Sequence, residues 1–301
     1  MRKDRLDTFG IISLVLFSAL LGLNQVAIKV VNEGLQPVWF AGLRSAGAAL
    51  CVGAWMLFRG LSLRPAPGTW RAGLLIGSVF AGEFIFLFNA LDLTTVARTS
   101  VVFYSMPFWT AIGAHFLIPG QRITRVKAAG LALAFAGVAW AILDRPAGGG
   151  AASLAGDLCA LAAAICWAAI ALIARGSALK DVNPTMQLFW QVTVSTPILL
   201  IAGPLLIPVL GPLVRDLQPI HLWSLAFQIV VVVSAGFVFW LWLLSIYPPA
   251  SVAAYGFLGP IFGVGLGWLL LGETIGPSIL GALALVVLGL ILINRPPPRP
   301  D

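Results

Sequence analysis

Residues 250–289 read ASVAAYGFLGPIFGVGLGWLLLGETIGPSILGALALVVLG. This stretch lies within two long apolar runs, over approximately 251–271 and 275–293, which the short segment Gly272-Glu273-Thr274 separates. An α-helix needs roughly 20 apolar residues to cross a bilayer core of ~30 Å, and each run is about that long. The stretch therefore predicts two membrane-spanning helices joined by a tight turn.

The rest of the chain continues this pattern. Of its 301 residues, 60% are hydrophobic and 10% are charged, whereas a soluble domain carries about a quarter charged residues. Long unbroken apolar runs favour helices over the short alternating strands of a membrane barrel. We predict an all-α integral membrane protein with ten transmembrane helices. The spans cover approximately 9–30, 37–59, 72–92, 96–118, 124–143, 153–174, 184–207, 222–246, 251–271 and 275–293.

The two halves of the chain carry similar landmarks in the same order. In the first half these are Gly10, Lys29, Pro37, Arg44, Gly82, Pro107, Gly120, Gly130 and Arg145. Their counterparts are Gly156, Arg175, Pro184, Gln191, Gly236, Pro260, Gly272, Gly281 and Arg295. This order predicts one five-helix repeat over 1–146 and a second over 147–301, forming one membrane domain. Because five is odd, the repeats would be inverted around a central cavity, as in many secondary transporters. A chance coincidence of Gly and Pro is the alternative.

Positive charge is distributed unevenly between the predicted loops. With the amino terminus in the cytoplasm, thirteen of the eighteen Lys and Arg residues lie on the cytoplasmic side and four on the other. Cytoplasmic loops carry such an excess, so we predict a multi-pass protein of the inner (plasma) membrane with both termini cytoplasmic. The net charge of +7 does not indicate a nucleic-acid partner, because the charges lie in short loops. The predicted partners are the lipid bilayer and a small-molecule substrate.

Motifs for catalysis are missing from the sequence. The chain has two His residues and no His-Glu-x-x-His, Gly-x-Ser-x-Gly or phosphate-cradling loop. Cys51, Cys159 and Cys166 lie within predicted spans and fit small packing residues. We therefore predict no enzyme activity, no catalytic residues, no cofactor and no metal. A membrane scaffold and an intramembrane enzyme are the remote alternatives.

Polar residues within the spans are candidates for a substrate site. Glu83 lies deep in the third span, where an ionisable group usually faces a cavity or a partner. It can form a structural ion pair with Arg44, border the cavity, or do both. Asn24 and Gln25 can hydrogen-bond across helices or bind a zwitterion. Glu273 is expected to cap a helix or lie at an interface.

Aromatic residues and prolines complete the candidate site. Aromatic rings can line a cavity for a bulky apolar side chain or contact lipid. The matched Pro107 and Pro260 predict hinges, with static kinks as the alternative. The predicted substrate-binding residues are Asn24, Gln25, Glu83, Phe84, Phe88, Ser100, Tyr104, Trp167, Trp240 and Tyr255.

The stretch over 250–289 resembles the carboxyl-terminal signature of EamA-type carriers of the drug/metabolite transporter superfamily. The resemblance rests on Pro260, on Leu-Leu-Leu-Gly-Glu-Thr at 269–274 and on the Gly-rich last span. The first repeat departs from it, since Gly120-Gln121-Arg122 stands where the family has Gly-Glu-Arg. The aromatic-rich core is most similar to YddG-like exporters of aromatic and other amino acids. The resemblance implies a secondary transporter that exports amino acids by alternating access. A multidrug exporter or an exporter of other metabolites is the alternative, and direction, ion coupling and oligomeric state stay open.

Overall fold

The computed structural model describes residues 6–118, 123–144, 153–247, 252 and 255–293. Within these ranges the chain is helical, and its one extended contact is an isolated antiparallel bridge between Leu35 and Val214. The all-α prediction is therefore confirmed for the described part of the chain. The predicted repeat boundary at 146 lies outside the described residues.

The described part of the first half contains six helices, and several of them begin at residues that favour a helix start. Asp7 caps α1, where its carboxylate accepts from Gly10 N at 2.8 Å. Pro37 stands in the first turn of α2, where a missing N–H costs nothing. Thr95 and Thr124 cap α4 and α6 through their hydroxyls. The helices are α1 (Thr8–Gly34), α2 (Pro37–Phe58), α3 (Trp70–Leu93), α4 (Val96–Phe103), α5 (Met106–Leu117) and α6 (Arg125–Leu143).

The second half is less regular. It begins with α7 (Leu154–Gly176), α8 (Pro184–Leu205) and the short α9 (Ile207–Leu210). A single long segment follows, made of α10 (Pro219–Phe227), a π-helical stretch over Gln228–Gly236, and α11 (Phe237–Ile246). A 3-10 turn (Tyr255–Phe257) leads into α12 (Leu258–Leu271), and α13 (Pro277–Ile293) follows.

Seven of the described helical segments are long and apolar enough to cross a membrane, and two shorter apolar helices cover 255–271 and 277–293. The predicted fourth span, 96–118, differs from the prediction because it is broken into α4 and α5. Tyr104 and Ser105 lie at the break. Pro107 follows in the first turn of α5, and without an N–H it cannot continue the α4 hydrogen-bond ladder.

Close helix contacts hold the bundle together. In the contact between α6 and α13, a Cβ built on Gly130 would lie 2.8 Å from the carbonyl oxygen of Gly289. The two backbones therefore touch, as small residues permit in membrane helices. Further contacts join α2 to α8, α3 to α7 and α8, and α1 to α12. Gly130 and Gly289 thus lie in a helix contact within the chain.

Candidate functional site

At one end of the bundle, polar contacts join helices from different parts of the chain. Lys29, near the end of α1, donates from Nζ to the carbonyl oxygens of Leu91 at 3.0 Å and Thr94 at 2.7 Å. These carbonyls stand at the carboxyl end of α3, where no further helical turn can pair with them. A cation is favourable there because it also complements the helix dipole. Lys29 of α1 therefore caps the carboxyl end of α3.

Glu273 makes a complementary contact at the same end. Gly272 ends α12 in the left-handed conformation, with φ of +65°, which a residue without Cβ adopts readily. The carboxylate of Glu273 then accepts from Val96 N at 2.7 Å and Ala97 N at 2.9 Å. Glu273 thus caps the amino end of α4, which is a more distant helix than the sequence indicated.

A third set of contacts joins the same helices. Asn32 donates to the carbonyl oxygen of Phe88 at 2.8 Å. Arg215 makes a two-point ion pair with Asp92 at 2.7 and 3.0 Å, and it also donates to the carbonyl oxygen of Asn32. We call this end, which contains Lys29, Asp92, Arg215 and Glu273, the Lys29 end. At this end α1 and α12 are fastened to α3 and α4.

The centre of the bundle brings three predicted site residues together. Ser100 Oγ donates to Gln25 Oε1 at 2.5 Å, joining α4 to α1. Gly263 of α12 packs directly on Ser100, and Gly259 packs on the ring of Tyr104. Gln25 and Ser100 therefore bind each other here, and Tyr104 fills a helix contact. This is the cross-helix alternative that the sequence left open for Gln25.

Arg44 and Glu83 are both buried, with exposed fractions of 5% and 1%. The guanidinium of Arg44 lies over the rings of Phe84, at 4.7 Å from the centroid, and Phe88, at 5.4 Å. Among the described residues, no ion pair within 4.0 Å joins Arg44 to Glu83. Arg44 and Glu83 still lie near enough to act on each other electrostatically, and the guanidinium also makes cation–π contacts. The structural ion pair stays a prediction.

Several buried polar atoms in the interior have no hydrogen-bond partner. Among the described residues these include Glu83 Oε2, Arg44 Nε and Asn24 Oδ1. Gln228 is fully buried in the π-helical stretch, and both polar atoms of its amide lack a partner. Such atoms are costly in a dry interior, so they need an explanation such as a ligand or water. Gln228 is not among the predicted site residues, although a lone amide within an apolar run is a recognisable signal.

The aromatic residues form separate groups. Phe84 and Phe88 lie in the hydrophobic core with Phe40 and Phe80, so they do not line an open cavity in this conformation. Trp240 does not join them, because it stacks on Phe17 of α1 at 4.9 Å between centroids. The remaining predicted aromatic residues have neighbours of their own, since Trp167 packs edge-on against Phe103 and Tyr255 stacks on Phe257.

The two predicted hinge prolines occupy similar places. Pro107 is the second residue of α5, directly after the break at Tyr104 and Ser105. Pro260 is the third residue of α12, directly after the 3-10 turn. Each proline therefore stands in the first turn of a helix that follows an irregular segment. The choice between hinge and static kink stays a prediction.

The opposite end of the bundle is fastened differently. Tyr247 donates from its hydroxyl to Asp7 at 2.6 Å, which ties the end of α11 to the start of α1. Within the described part of the chain, α7 does not pack extensively against the π-helical stretch or α11. We call this the Asp7 end. Among the described residues of this end, no hydrogen bond or ion pair joins α7 to α11.

An apolar pocket of about 270 Å³ lies apart from these polar groups. It is bounded by α5, α6 and α7, and its lining includes Phe108, Phe135 and Leu161. Ser105 and Trp109 also border it, but their polar atoms are buried without a partner. Because its accessible lining is apolar, the pocket lacks the convergent polar groups of a metabolite site.

Comparison with known proteins places the chain among membrane transporters. The EamA-like transporter family matches twice, over residues 8–143 and 154–295. A probable amino-acid metabolite efflux pump of Salmonella typhimurium is 30% identical over 278 residues, covering 90% of each chain. The uncharacterized transporter YoaV of Bacillus subtilis is 25% identical, covering 94% of each. A solved crystal structure at 23% identity has a TM-score of 0.61 over 95% of both chains, which shows a shared fold.

Proposed function

Because this chain belongs to the EamA-like transporter family, and is thus a membrane transporter rather than an enzyme, we propose that it exports small amphiphilic metabolites. We further propose that these are amino acids, including aromatic ones, and that they move by alternating access. The Salmonella typhimurium relative, which is named a probable amino-acid metabolite efflux pump, supports this substrate class.

The proposed architecture has ten crossings in two inverted repeats, over 1–146 and 147–301, with both termini in the cytoplasm. The duplicated family match supports two repeats. The fourth crossing is then the broken pair α4 and α5, and the eighth is the segment from α10 to α11. The positive residues of the predicted cytoplasmic loops favour an inner (plasma) membrane orientation with the Asp7 end inside.

The single observation that carries the mechanism is the difference between the two ends. At the Lys29 end, α1 and α12 are hydrogen-bonded to α3 and α4, whereas among the described residues of the Asp7 end α7 is not packed extensively against the π-helical stretch or α11. A carrier closed at one end and open at the other is one state of an alternating-access cycle. Motion about the breaks before Pro107 and Pro260 would produce the other state.

Interior polar atoms provide the proposed recognition of the substrate. Glu83 attracts an ammonium group, and Asn24 and Gln228 offer amides without partners. Trp167, Trp240 and Tyr255 are half-buried and offer aromatic surface to an apolar side chain. Binding a zwitterion would satisfy atoms that are otherwise orphaned, which is favourable in a low-dielectric interior. Gln25, Ser100 and Tyr104 would take part once the contact between α1, α4 and α12 opens.

Proteoliposomes provide the test of this proposal. Purified protein should exchange labelled phenylalanine and threonine, and Glu83→Gln should slow exchange by about tenfold or more, because a buried charged hydrogen bond is lost. Asp216→Asn is the matched control, since Asp216 is an exposed acid beside the Lys29 end and is not among the acids that act on Lys29. Exchange of lipophilic cations with no amino acid exchange would instead identify a multidrug exporter. An unchanged rate in Glu83→Gln would remove Glu83 from the site.

A further inference from the structure

The contact of Lys29 joins two groups of helices that must separate during transport. Lys29 belongs to α1, and its two acceptors are carbonyl oxygens at the end of α3. The side chain is half-buried, and Glu273, Asp92 and Glu33 lie near enough to act on it electrostatically. Opening the Lys29 end requires that these hydrogen bonds break. Lys29 is therefore part of the closure itself.

Arg175 is the residue that matches Lys29 in the second repeat. It follows Lys29 by 146 residues, which is also the offset between Gly10 and Gly156. The structure supports this register, because each of the two Gly residues packs against the residue that follows the end of a helix. Gly10 packs on Tyr247, after α11, and Gly156 packs on Thr94, after α3.

Unlike Lys29, Arg175 caps no helix among the described residues. It stands in the last turn of α7, is exposed, and makes no hydrogen bond or ion pair with the described residues. It borders an open cleft of about 500 Å³ together with Leu117 and Lys180. The cleft gives the long guanidinium side chain room to move.

Acceptors for Arg175 exist at the end of α11. Leu91, whose carbonyl binds Lys29, corresponds to Ser245 at the offset of 154 that relates Gly82 to Gly236. Ser245 lies in the last turn of α11, where main-chain carbonyls lack helical partners. A cation is favourable at this end of a helix for the same reason as at α3.

We propose that Lys29 and Arg175 are alternating latches. Lys29 closes its own end by capping α3, and Arg175 closes the Asp7 end by capping α11 when Lys29 is released. This inference rests on the proposed alternating access and adds the two residues that stabilise its end states. The latches are chemically unequal, because Glu273 supports Lys29 whereas the residue matching Glu273 is the neutral Gln121, which lies outside the described residues.

Spin-label distances test the latches without any substrate. One label pair, at Thr274 and Leu93, spans the Lys29 end, and a second, at Ala178 and Trp242, spans the Asp7 end. All four positions are exposed. Lys29→Gln should lengthen the first distance and shorten the second, with the ratio of states shifting by about tenfold, because two charged hydrogen bonds to α3 are lost. Lys29→Arg should keep the wild-type distances.

The second latch has its own variant and control. Arg175→Gln added to Lys29→Gln should remove the short Ala178–Trp242 distance, because neither end can then be capped. Arg64→Gln, which removes an exposed cation from the loop between α2 and α3, should change neither distance. Glu273→Gln should act like a weaker Lys29→Gln, which provides a second route if Lys29→Gln does not fold.

Two results separate this inference from the proposed substrate. If the distances respond as expected but the protein moves no amino acid, the result supports the latches and overturns the proposed substrate class. Distances unchanged in both Lys29→Gln and Glu273→Gln would overturn the Lys29 latch. A short Ala178–Trp242 distance that persists in the double variant would overturn the role of Arg175.

Discussion

At the scale of single residues, glycine decides how closely the central helices approach. Gly263 of α12 lies against Ser100 of α4, whose hydroxyl is already bound to Gln25 of α1. A Cβ at position 263 would overlap Ser100 Oγ and lie 2.7 Å from Ser100 Cβ. One hydrogen atom in place of a side chain therefore permits a three-helix contact at the predicted substrate level.

Gly263→Ala should lower the stability of the purified protein by about 1–3 kcal/mol, because the added methyl overpacks this contact. The measurement is the melting temperature in detergent. Gly265→Ala is the control on the same helix, since a Cβ there would meet nothing within 4 Å. Adding Ser100→Gly to Gly263→Ala should recover part of the loss. Equal melting temperatures for the two alanine variants would contradict the close contact.

At the scale of helices, a buried ion pair makes α4, α6 and α7 one unit. Arg98 of α4 binds Asp157 of α7 through Nε at 3.1 Å and a terminal nitrogen at 2.6 Å. The same guanidinium donates to the carbonyl oxygens of Ala141, in α6, and Asp144, just after it. Three helices thus share one side chain that is 4% exposed.

Asp157→Asn should destabilise the fold by about 3–5 kcal/mol, because it leaves the charge of Arg98 buried without its counter-ion. Denaturation by titration with sodium dodecyl sulfate measures this loss. Asp92→Asn breaks the ion pair with Arg215, whose side chains are 25% (Arg215) and 19% (Asp92) exposed, and should cost about 1 kcal/mol. If both variants lose the same stability, the Arg98 pair does not hold the three helices together.

At the scale of the whole molecule, the apolar runs predicted most of the helices but not the local breaks within them. The run over 96–118 is uniformly apolar, so its pattern does not reveal that α4 ends at Phe103. The site was harder to predict, because it depends on which helices meet. Lys29 and Glu273 are plain polar residues near span ends in the sequence. Their capping of α3 and α4 follows from tertiary contacts between positions 62 to 177 residues apart.

Reporter fusions should place both ends of the chain in the cytoplasm. Green fluorescent protein fused before residue 1 or after residue 301 should fluoresce, since the positive residues of the predicted cytoplasmic loops hold those loops inside. Alkaline phosphatase inserted after residue 148 should be active, because the linker between the repeats would face the other side. Termini on different sides would contradict an even number of crossings and the inverted repeats.

The tight seam between α6 and α13 has a mechanical consequence. Gly130 and Gly289 place backbone against backbone, and Gly137 leaves no room for a side chain against Ala282. Such a joint resists sliding, so it can serve as a fulcrum. For a given rotation about this contact, the helix ends that lie farthest from it move the most. A small rotation at α6 and α13 would therefore be enough to separate distant helix ends.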